Sequence, residues 1–311
     1  MSAGLHPQVR ALLEAVVTPA EVPGPPDIEA ERAAYLETAM ALGGAVEEVA
    51  RIEDVVIPRD AGGRLLARAY WPRVPAEERG VIVWLHGGGW YVGDIESFDR
   101  VTRQVANASG AVCLSVDYRL APEHPYPAAV DDARAAVDWA TGAGADQLGT
   151  DAARVAVGGD SAGGNLAAVA ARHARDALRA ALLVYPALDA AMTGDSYREF
   201  ADGPMLTAAD MAFCWRTYLD DSAAADDPDA SPLAARDLAG VPPTYIAVAG
   251  QDPLRDDGLR YAEALRAAGV AVRLDRFDDM THSFLRWGGV VDRAHELIDA
   301  LSGFAREAIA R

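Results

Sequence analysis

The chain has 311 residues, of which 51% are hydrophobic and 24% are charged, and its formal net charge at pH 7 is −19. This composition is that of a globular protein with a large core, and such an acidic chain is poorly suited to bind nucleic-acid phosphates or anionic membranes. All 28 basic residues are arginine, which excludes Schiff-base chemistry on lysine and a phosphate-binding P-loop.

The cysteine content and the N-terminus bear on the cellular compartment. Two cysteines, Cys113 and Cys214, suggest neither a disulfide framework nor a metal knuckle, and we expect both to be buried as small hydrophobic residues. The N-terminus lacks a signal-peptide pattern, and no segment approaches the ~18 uninterrupted apolar residues of a membrane span. We therefore expect a cytoplasmic protein with no membrane span and no nucleic-acid partner.

Two N-terminal stretches carry apolar residues at helical spacing, one from Val9 to Val17 and one around Ala33 to Met40. A proline-rich hinge from Thr18 to Pro26 separates them. Two helices ahead of the first strand indicate a cap formed by residues 1–45, and an N-terminal brace is the alternative.

Strand-like and helix-like segments then alternate over residues 46–311. A turn at 60–63 joins the first two predicted strands, and the third, VIVWL, is apolar throughout, as expected of a strand buried on both faces. The alternation predicts an α/β fold whose mostly parallel central sheet is flanked by helices. The strands are predicted at Ile52–Ile57, Leu65–Trp71, Val81–Leu85, Ala111–Val116, Arg154–Val157, Ala180–Tyr185, Thr244–Ala249 and Val270–Phe277, and the helices at 97–108, 128–140, 166–172, 259–267 and 290–309.

Residues 195–221 carry aromatic and methionine side chains between two predicted core strands. This pattern is typical of a second cap segment, within 190–225, that covers a pocket. Ordinary helix packing explains the same residues equally well.

The motif with the clearest chemistry is GGDSAGGN, from Gly158 to Asn165. It lies between a predicted strand and a predicted helix, and the frame G-x-S-x-G in that context indicates a nucleophile elbow with Ser161 at its apex. The glycines fit because a side chain beside such a sharp turn would collide with the neighbouring strand or helix.

A serine nucleophile needs a base and a carboxylate that orients the base. His282 lies in a loop between the last strand and the last helix, and Asp252 follows the strand Thr244–Ala249 directly. Active-site groups gather at the carboxyl ends of parallel strands, and the chain order Ser161, Asp252, His282 is the one expected for α/β-hydrolases. Asp256 and Asp257 are rival acids, but they begin the next helix and are better placed as N-cap groups.

An oxyanion hole is expected next to the nucleophile, because negative charge develops on the carbonyl oxygen during attack. The loop His86–Gly89 after the third strand offers unshielded backbone amides, and Ala162 offers another. The sequence contains neither H-E-x-x-H nor a Cys/His cluster, so no metal is expected.

Several motifs together resemble the bacterial hormone-sensitive-lipase-like esterases, also called family IV, within the α/β-hydrolases. The resemblance implies a helical cap, an oxyanion hole formed by the amides of Gly88, Gly89 and Ala162, and the triad named above. It also implies a carboxylesterase that cleaves short- to medium-chain acyl esters through an acyl-enzyme without a cofactor, and a possible homodimer. The motifs are HGGGW (86–90), VDYRLAPEHPYPAA (116–129), GGDSAGGN (158–165), DPLRDDG (252–258) and HSF (282–284).

Two other functions are compatible with the same motifs. A related acyl hydrolase could act on amides, formamides or lactones. A ligand-binding relative without catalysis would have lost the base, whereas His282 is present here.

Overall fold

A computed structural model of the chain describes residues 4–15, 27–59, 63–74, 79–220 and 224–310. Eight strands lie in these ranges: β1 (Arg51–Pro58), β2 (Arg64–Trp71), β3 (Val81–Leu85), β4 (Val112–Asp117), β5 (Val155–Asp160), β6 (Ala180–Val184), β7 (Thr244–Gln251) and β8 (Val272–Thr281). The helices are α1 (Pro7–Ala15), α2 (Ile28–Leu42), α3 (Ile95–Ser109), α4 (Ala128–Ala140), α5 (Ala143–Leu148), α6 (Ala162–Ala174), α7 (Ser196–Glu199), α8 (Ala208–Leu219), α9 (Arg255–Ala267) and α10 (Arg293–Ile309).

The strands form one sheet in the order β1-β2-β4-β3-β5-β6-β7-β8. β2 is antiparallel to both β1 and β4, and the remaining pairs are parallel. The predicted α/β class with a mostly parallel sheet is therefore confirmed. The carboxyl ends of β3, β5, β7 and β8 all lie at one edge of this sheet, which is where the predicted active-site residues follow them.

Alternation along β3 explains how the sheet divides the core. Val81, Val83 and Leu85 belong to an apolar cluster shared with α4, α6 and α9. Ile82 and Trp84 belong to a second cluster, shared with α1, α3 and α10. Successive side chains of a strand point to opposite faces, so a strand covered by helices on both sides is apolar at every position.

The two N-terminal helices have different surroundings. On α1, Val9 is fully buried in the second cluster. The α2 helix is held instead by Arg32, which donates to the Tyr91 carbonyl at 2.8 Å and pairs with Glu123. The predicted hinge at 18–26 lies outside the described residues, as does most of the predicted turn at 60–63.

Element boundaries differ from the predicted ones where glycine or an edge position hides the pattern. β5 continues through Gly158 and Gly159 to Asp160, and α6 begins at Ala162 rather than 166, because glycines carry no hydrophobic signal. β8 runs to Thr281 as an edge strand in which the polar residues Arg273, Arg276 and Asp278 are exposed. The six-residue helix α5, bracketed by glycines, was not predicted. Cys113 and Cys214 are both free and buried, as expected.

Candidate active site

Ser161 occupies the sharp turn between β5 and α6. Its φ of 55° and ψ of −119° lie in a region that residues other than glycine rarely adopt. Hydrogen bonds fix the turn: the Ser161 N–H donates to the Val184 carbonyl at 2.9 Å, and the Ser161 carbonyl accepts from Asn165 at 3.0 Å. This strained serine is the feature expected of a nucleophile elbow.

The motif glycines on either side of Ser161 are required by close backbone packing. A Cβ on Gly159 would lie 2.4 Å from the Leu85 carbonyl oxygen, and one on Gly163 would lie 1.9 Å from the same oxygen. Both distances are far below van der Waals contact, so a side chain at either position would push the elbow away from the end of β3.

The structure brings the three predicted triad residues into contact. His282 Nε2 lies 2.9 Å from Ser161 Oγ, and His282 Nδ1 lies 2.7 Å from Asp252 Oδ2. Asp252 is fully buried, and its other oxygen accepts the Leu254 N–H at 2.8 Å. The carboxylate is thereby fixed in the orientation that holds the imidazole toward the serine.

The two rival acids lie elsewhere, and their predicted N-cap role is wrong. Asp257 Oδ2 accepts the N–H groups of Leu188 and Asp189 at 2.9 and 3.1 Å, and Asp256 Oδ2 accepts that of Ser196 at 2.8 Å. The start of α9 packs against the segment after β6, so these carboxylates satisfy that segment's amides instead of those of their own helix.

The glycine loop after β3 adopts conformations that favour glycine. Gly88 and Gly89 have φ values of 125° and 56°, and a Cβ on Gly88 would lie 2.2 Å from the Val92 carbonyl oxygen. The N–H groups of Gly88, Gly89 and Ala162 donate to no acceptor within the described part of the chain. Three backbone donors are thus available close to the nucleophile.

Asp160 links the glycine loop to the elbow. Its Oδ1 accepts the Gly87 N–H at 2.9 Å, so the residue before the nucleophile holds the loop that carries Gly88 and Gly89. Burial raises the pKa of Asp160 to about 6, although the positive charge of Arg286 acts in the opposite direction.

His86 supports the loop from behind. Its ring stacks on Tyr118 with centroids 4.2 Å apart, and its carbonyl accepts the Tyr118 hydroxyl at 2.7 Å. Burial lowers the pKa of His86 to about 4, so the ring is neutral at physiological pH. The role of His86 is structural, and His282 is the histidine whose imidazole contacts the serine.

A cavity of about 710 Å³ opens above Ser161 and His282. One wall comes from α2, through Glu31, Ala34, Tyr35 and Thr38, and no residue of α1 lines it. The opposite wall comes from the segment 205–214 and is largely apolar, with Met205, Leu206, Met211, Phe213 and Cys214.

Sequence reasoning missed two side chains at this site. Arg286 lines the cavity, and its spacing of four residues from His282 is the one signal that could have identified it. Tyr185, at the end of β6, packs its ring against His282 with centroids 4.6 Å apart. Nothing in its apolar sequence context distinguishes Tyr185 from an ordinary core residue.

The described ranges contain neither a metal-binding cluster nor a membrane-spanning helix. No group of three or more His, Cys, Asp or Glu side chains there is arranged to hold a metal ion. No helix in those ranges combines the length and apolar character needed to cross a bilayer.

Comparison with known proteins identifies relatives that share this architecture. A family described as alpha/beta hydrolase fold matches residues 82–286. Carboxylesterase NlhH of Mycobacterium tuberculosis is 44% identical over 253 residues, covering 79% of each chain. Carboxylic ester hydrolase LipN of the same organism is 43% identical over 288 residues, covering 88% of this chain and 76% of its own.

A solved structure supports the same placement. A hyperthermophilic esterase from the archaeon Pyrobaculum calidifontis superimposes with a TM-score of 0.91 at 37% identity, covering 98% of this chain and 99% of its own. The sheet order, the elbow and these similarities agree with the motif resemblance. The chain belongs to the hormone-sensitive-lipase-like family IV of the α/β-hydrolases.

Proposed function

We propose that the chain is a carboxylesterase that cleaves short- to medium-chain acyl esters through an acyl-enzyme on Ser161. The observation that carries the proposal is the continuous contact from Ser161 through His282 to the buried Asp252, at 2.9 and 2.7 Å. The relatives named as carboxylesterases support the choice of substrate class.

Acylation begins at the serine hydroxyl. Ser161 Oγ attacks the ester carbonyl carbon while His282 Nε2 takes its proton, and Asp252 Oδ2 accepts the Nδ1–H of the resulting imidazolium. His282 then gives the proton to the leaving alkoxide, so the C–O bond to the alcohol breaks and the acyl group remains on Ser161. Deacylation repeats these steps with water as the nucleophile and restores the free serine.

Charge on the carbonyl oxygen is stabilised by the backbone. The N–H groups of Gly88, Gly89 and Ala162 are the donors we assign to this oxyanion hole, since each lacks another acceptor in the described residues. The loss of one such donor typically costs ~3 kcal/mol of transition-state stabilisation. The bond from Gly87 to Asp160 keeps the loop in place during the reaction.

The walls of the cavity set the expected acyl length. We assign α2, within residues 1–45, and the segment 190–225 to a cap over the catalytic domain, because both line the cavity above Ser161. A cavity of about 710 Å³ that also has to hold the alcohol favours acyl chains shorter than about ten carbons. Efficient hydrolysis of long-chain triglycerides would contradict this assignment.

The ester preference and the triad are tested together with chromogenic 4-nitrophenyl esters. Ser161→Ala is expected to lower kcat for the butyrate ester by as much as ~10⁶ without loss of folding. Ser302→Ala is the matched control, since Ser302 is fully buried in α10, its hydroxyl has no hydrogen-bond partner among the described residues, and it lies outside the cavity. A Ser161→Ala protein that keeps more than a few per cent of the activity overturns the proposal.

Analogues of these esters test the alternative functions predicted from the sequence. Amide, formamide and lactone analogues measure whether esters are preferred. The cytoplasmic location and the homodimer remain proposals, for which fractionation and analytical ultracentrifugation are the measurements.

A further inference from the structure

Arg286 lies in the active-site cavity, four residues after the base His282. The short 3-10 turn Phe284–Arg286 is separated from His282 by Ser283, and Arg286 lines the cavity together with Ser161 and His282. Arg286 is only 6% exposed. A permanent positive charge is therefore buried beside the reacting groups.

The guanidinium of Arg286 makes no hydrogen bond to any of the described residues. Its Nε and Nη1 atoms are inaccessible to solvent and make no hydrogen bond, and no carboxylate oxygen of the described residues lies within 4.0 Å of any of its nitrogens. Aromatic rings contact it instead: the guanidinium carbon lies 3.6 Å from the centroid of Tyr35 and 5.7 Å from that of Phe98. These rings stabilise the charge but do not replace planar acceptors for its N–H groups.

The acidic side chains of the cavity are different, because each already has a donor. Glu31 accepts the Tyr91 hydroxyl at 2.7 Å, and Asp160 accepts the Gly87 N–H at 2.9 Å. Asp210 accepts from Thr207 at the start of α8. Among the described charged residues that line the cavity, Arg286 alone makes no hydrogen bond, although its charge acts on the buried Asp160.

A buried guanidinium without a hydrogen-bond acceptor is unfavourable for the protein without a ligand. A buried charge is normally paired, and arginine cannot escape the cost by losing its proton. A carboxylate is the anion that arginine N–H donors bind most readily, and because Nε and Nη1 are inaccessible, Nη2 is the donor left to reach a carboxylate oxygen in the cavity. A singly charged anion also suits the site better than a dianionic phosphate, since Glu31, Asp160 and Asp210 share the same cavity.

We propose that Arg286 makes this cavity selective for esters that carry a carboxylate group remote from the bond that is cleaved. The carboxylate can belong to the acyl part, as in a monoester of a dicarboxylic acid, or to the alcohol part. Arg286 would hold that group while Ser161 attacks the ester carbonyl. The inference rests on the proposed esterase function and adds the chemical class of its substrate.

Paired substrates test the proposal in both orientations. The first pair is 4-nitrophenyl hydrogen glutarate and 4-nitrophenyl pentanoate, which differ in charge on the acyl side. The second pair is 4-acetoxybenzoate and 4-acetoxybenzamide, which differ on the alcohol side. Within each pair the ratio of kcat/KM, anionic over neutral, cancels any general effect of a variant on folding or on the triad.

Arg286→Met is the informative variant and Arg286→Lys keeps the charge. A hydrogen-bonded ion pair predicts that Arg286→Met lowers the ratio by about 10- to 100-fold in one of the two pairs, and that Arg286→Lys lowers it less. Arg103→Met is the matched control: Arg103 also faces a ring, that of Tyr70 at 5.7 Å, but it pairs with Asp99 and lies outside the cavity. Ratios that change by less than about twofold in both pairs overturn the inference.

Binding to the Ser161→Ala protein separates this inference from the proposed function and needs no folded Arg286 variant. Calorimetry with monomethyl glutarate and its neutral counterpart dimethyl glutarate should give a dissociation constant at least about tenfold lower for the acid. Equal affinities overturn the role of Arg286 even if Ser161→Ala is inactive. Residual turnover by Ser161→Ala contradicts the esterase mechanism, whatever the affinities are.

Discussion

Replacing Gly163 by alanine should produce the most severe steric overlap at the nucleophile elbow. The new Cβ would lie 1.9 Å from the Leu85 carbonyl oxygen and 2.5 Å from that of His86, where ordinary contact begins at 3.4 Å. The atoms are main-chain carbonyls, so no side-chain rotation relieves the overlap. The start of α6 and the end of β3 would have to separate by about 1.5 Å.

That displacement has two expected consequences. Overpacking at a rigid contact typically costs 1–3 kcal/mol, and with backbone on both sides we expect about 3 kcal/mol, or roughly 5 to 10 °C in Tm. A shift of about 1 Å in catalytic geometry can lower the rate by 10²-fold, so kcat/KM should fall at least that far even below the Tm. Differential scanning calorimetry and ester hydrolysis measure the two effects.

Gly303 provides the matched control. It lies within α10, and an added Cβ would meet no atom within 4 Å. Gly303→Ala should therefore stabilise the chain by about 0.5–1 kcal/mol through helix propensity and leave kcat/KM unchanged. A Gly163→Ala protein with the Tm and activity of the wild type would refute the packing argument for the elbow.

Two further predictions concern buried carboxylates. Asp160→Ala leaves the Gly87 N–H without its acceptor, so kcat/KM should fall roughly tenfold to a hundredfold, whereas Asp160→Asn should retain most of the activity. Burial raises the pKa of Asp257 to about 8 from 3.8, so the folded chain holds a proton there that the unfolded chain releases, and stability should fall as pH rises from about 4 to 8. Denaturant titrations should find this slope flattened in Asp257→Asn, and an unchanged slope would contradict the assignment.

The contact among Ser161, His282 and Asp252 illustrates what a single sequence can predict. Ser161 and Asp252 follow buried strands and His282 follows the edge strand β8, and parallel strands bring their carboxyl ends to one edge of the sheet. Chain order and strand ends were therefore enough to place three residues that are up to 121 positions apart in contact. The glycine loop followed from the same rule applied to β3.

Strand ends and chain order do not predict the roles of residues that depend on packing between distant elements. The environment of Arg286 comes from Tyr35 on α2 and Phe98 on α3, and neither contact has a local signal. Asp257 lies in the first turn of α9 and so resembles a cap, but its side chain faces the segment after β6. Short elements among glycines, such as α5, lack the apolar periodicity that identifies longer ones.

Covalent labelling of the nucleophile is the most direct measurement of the acyl-enzyme mechanism. A 4-nitrophenyl alkylphosphonate mimics the tetrahedral intermediate and should modify the protein once per chain, with peptide mass spectrometry locating the adduct on Ser161. Labelling should be abolished in Ser161→Ala and greatly slowed in His282→Ala. An adduct on another residue, or equal labelling of the Ser161→Ala protein, would contradict the mechanism.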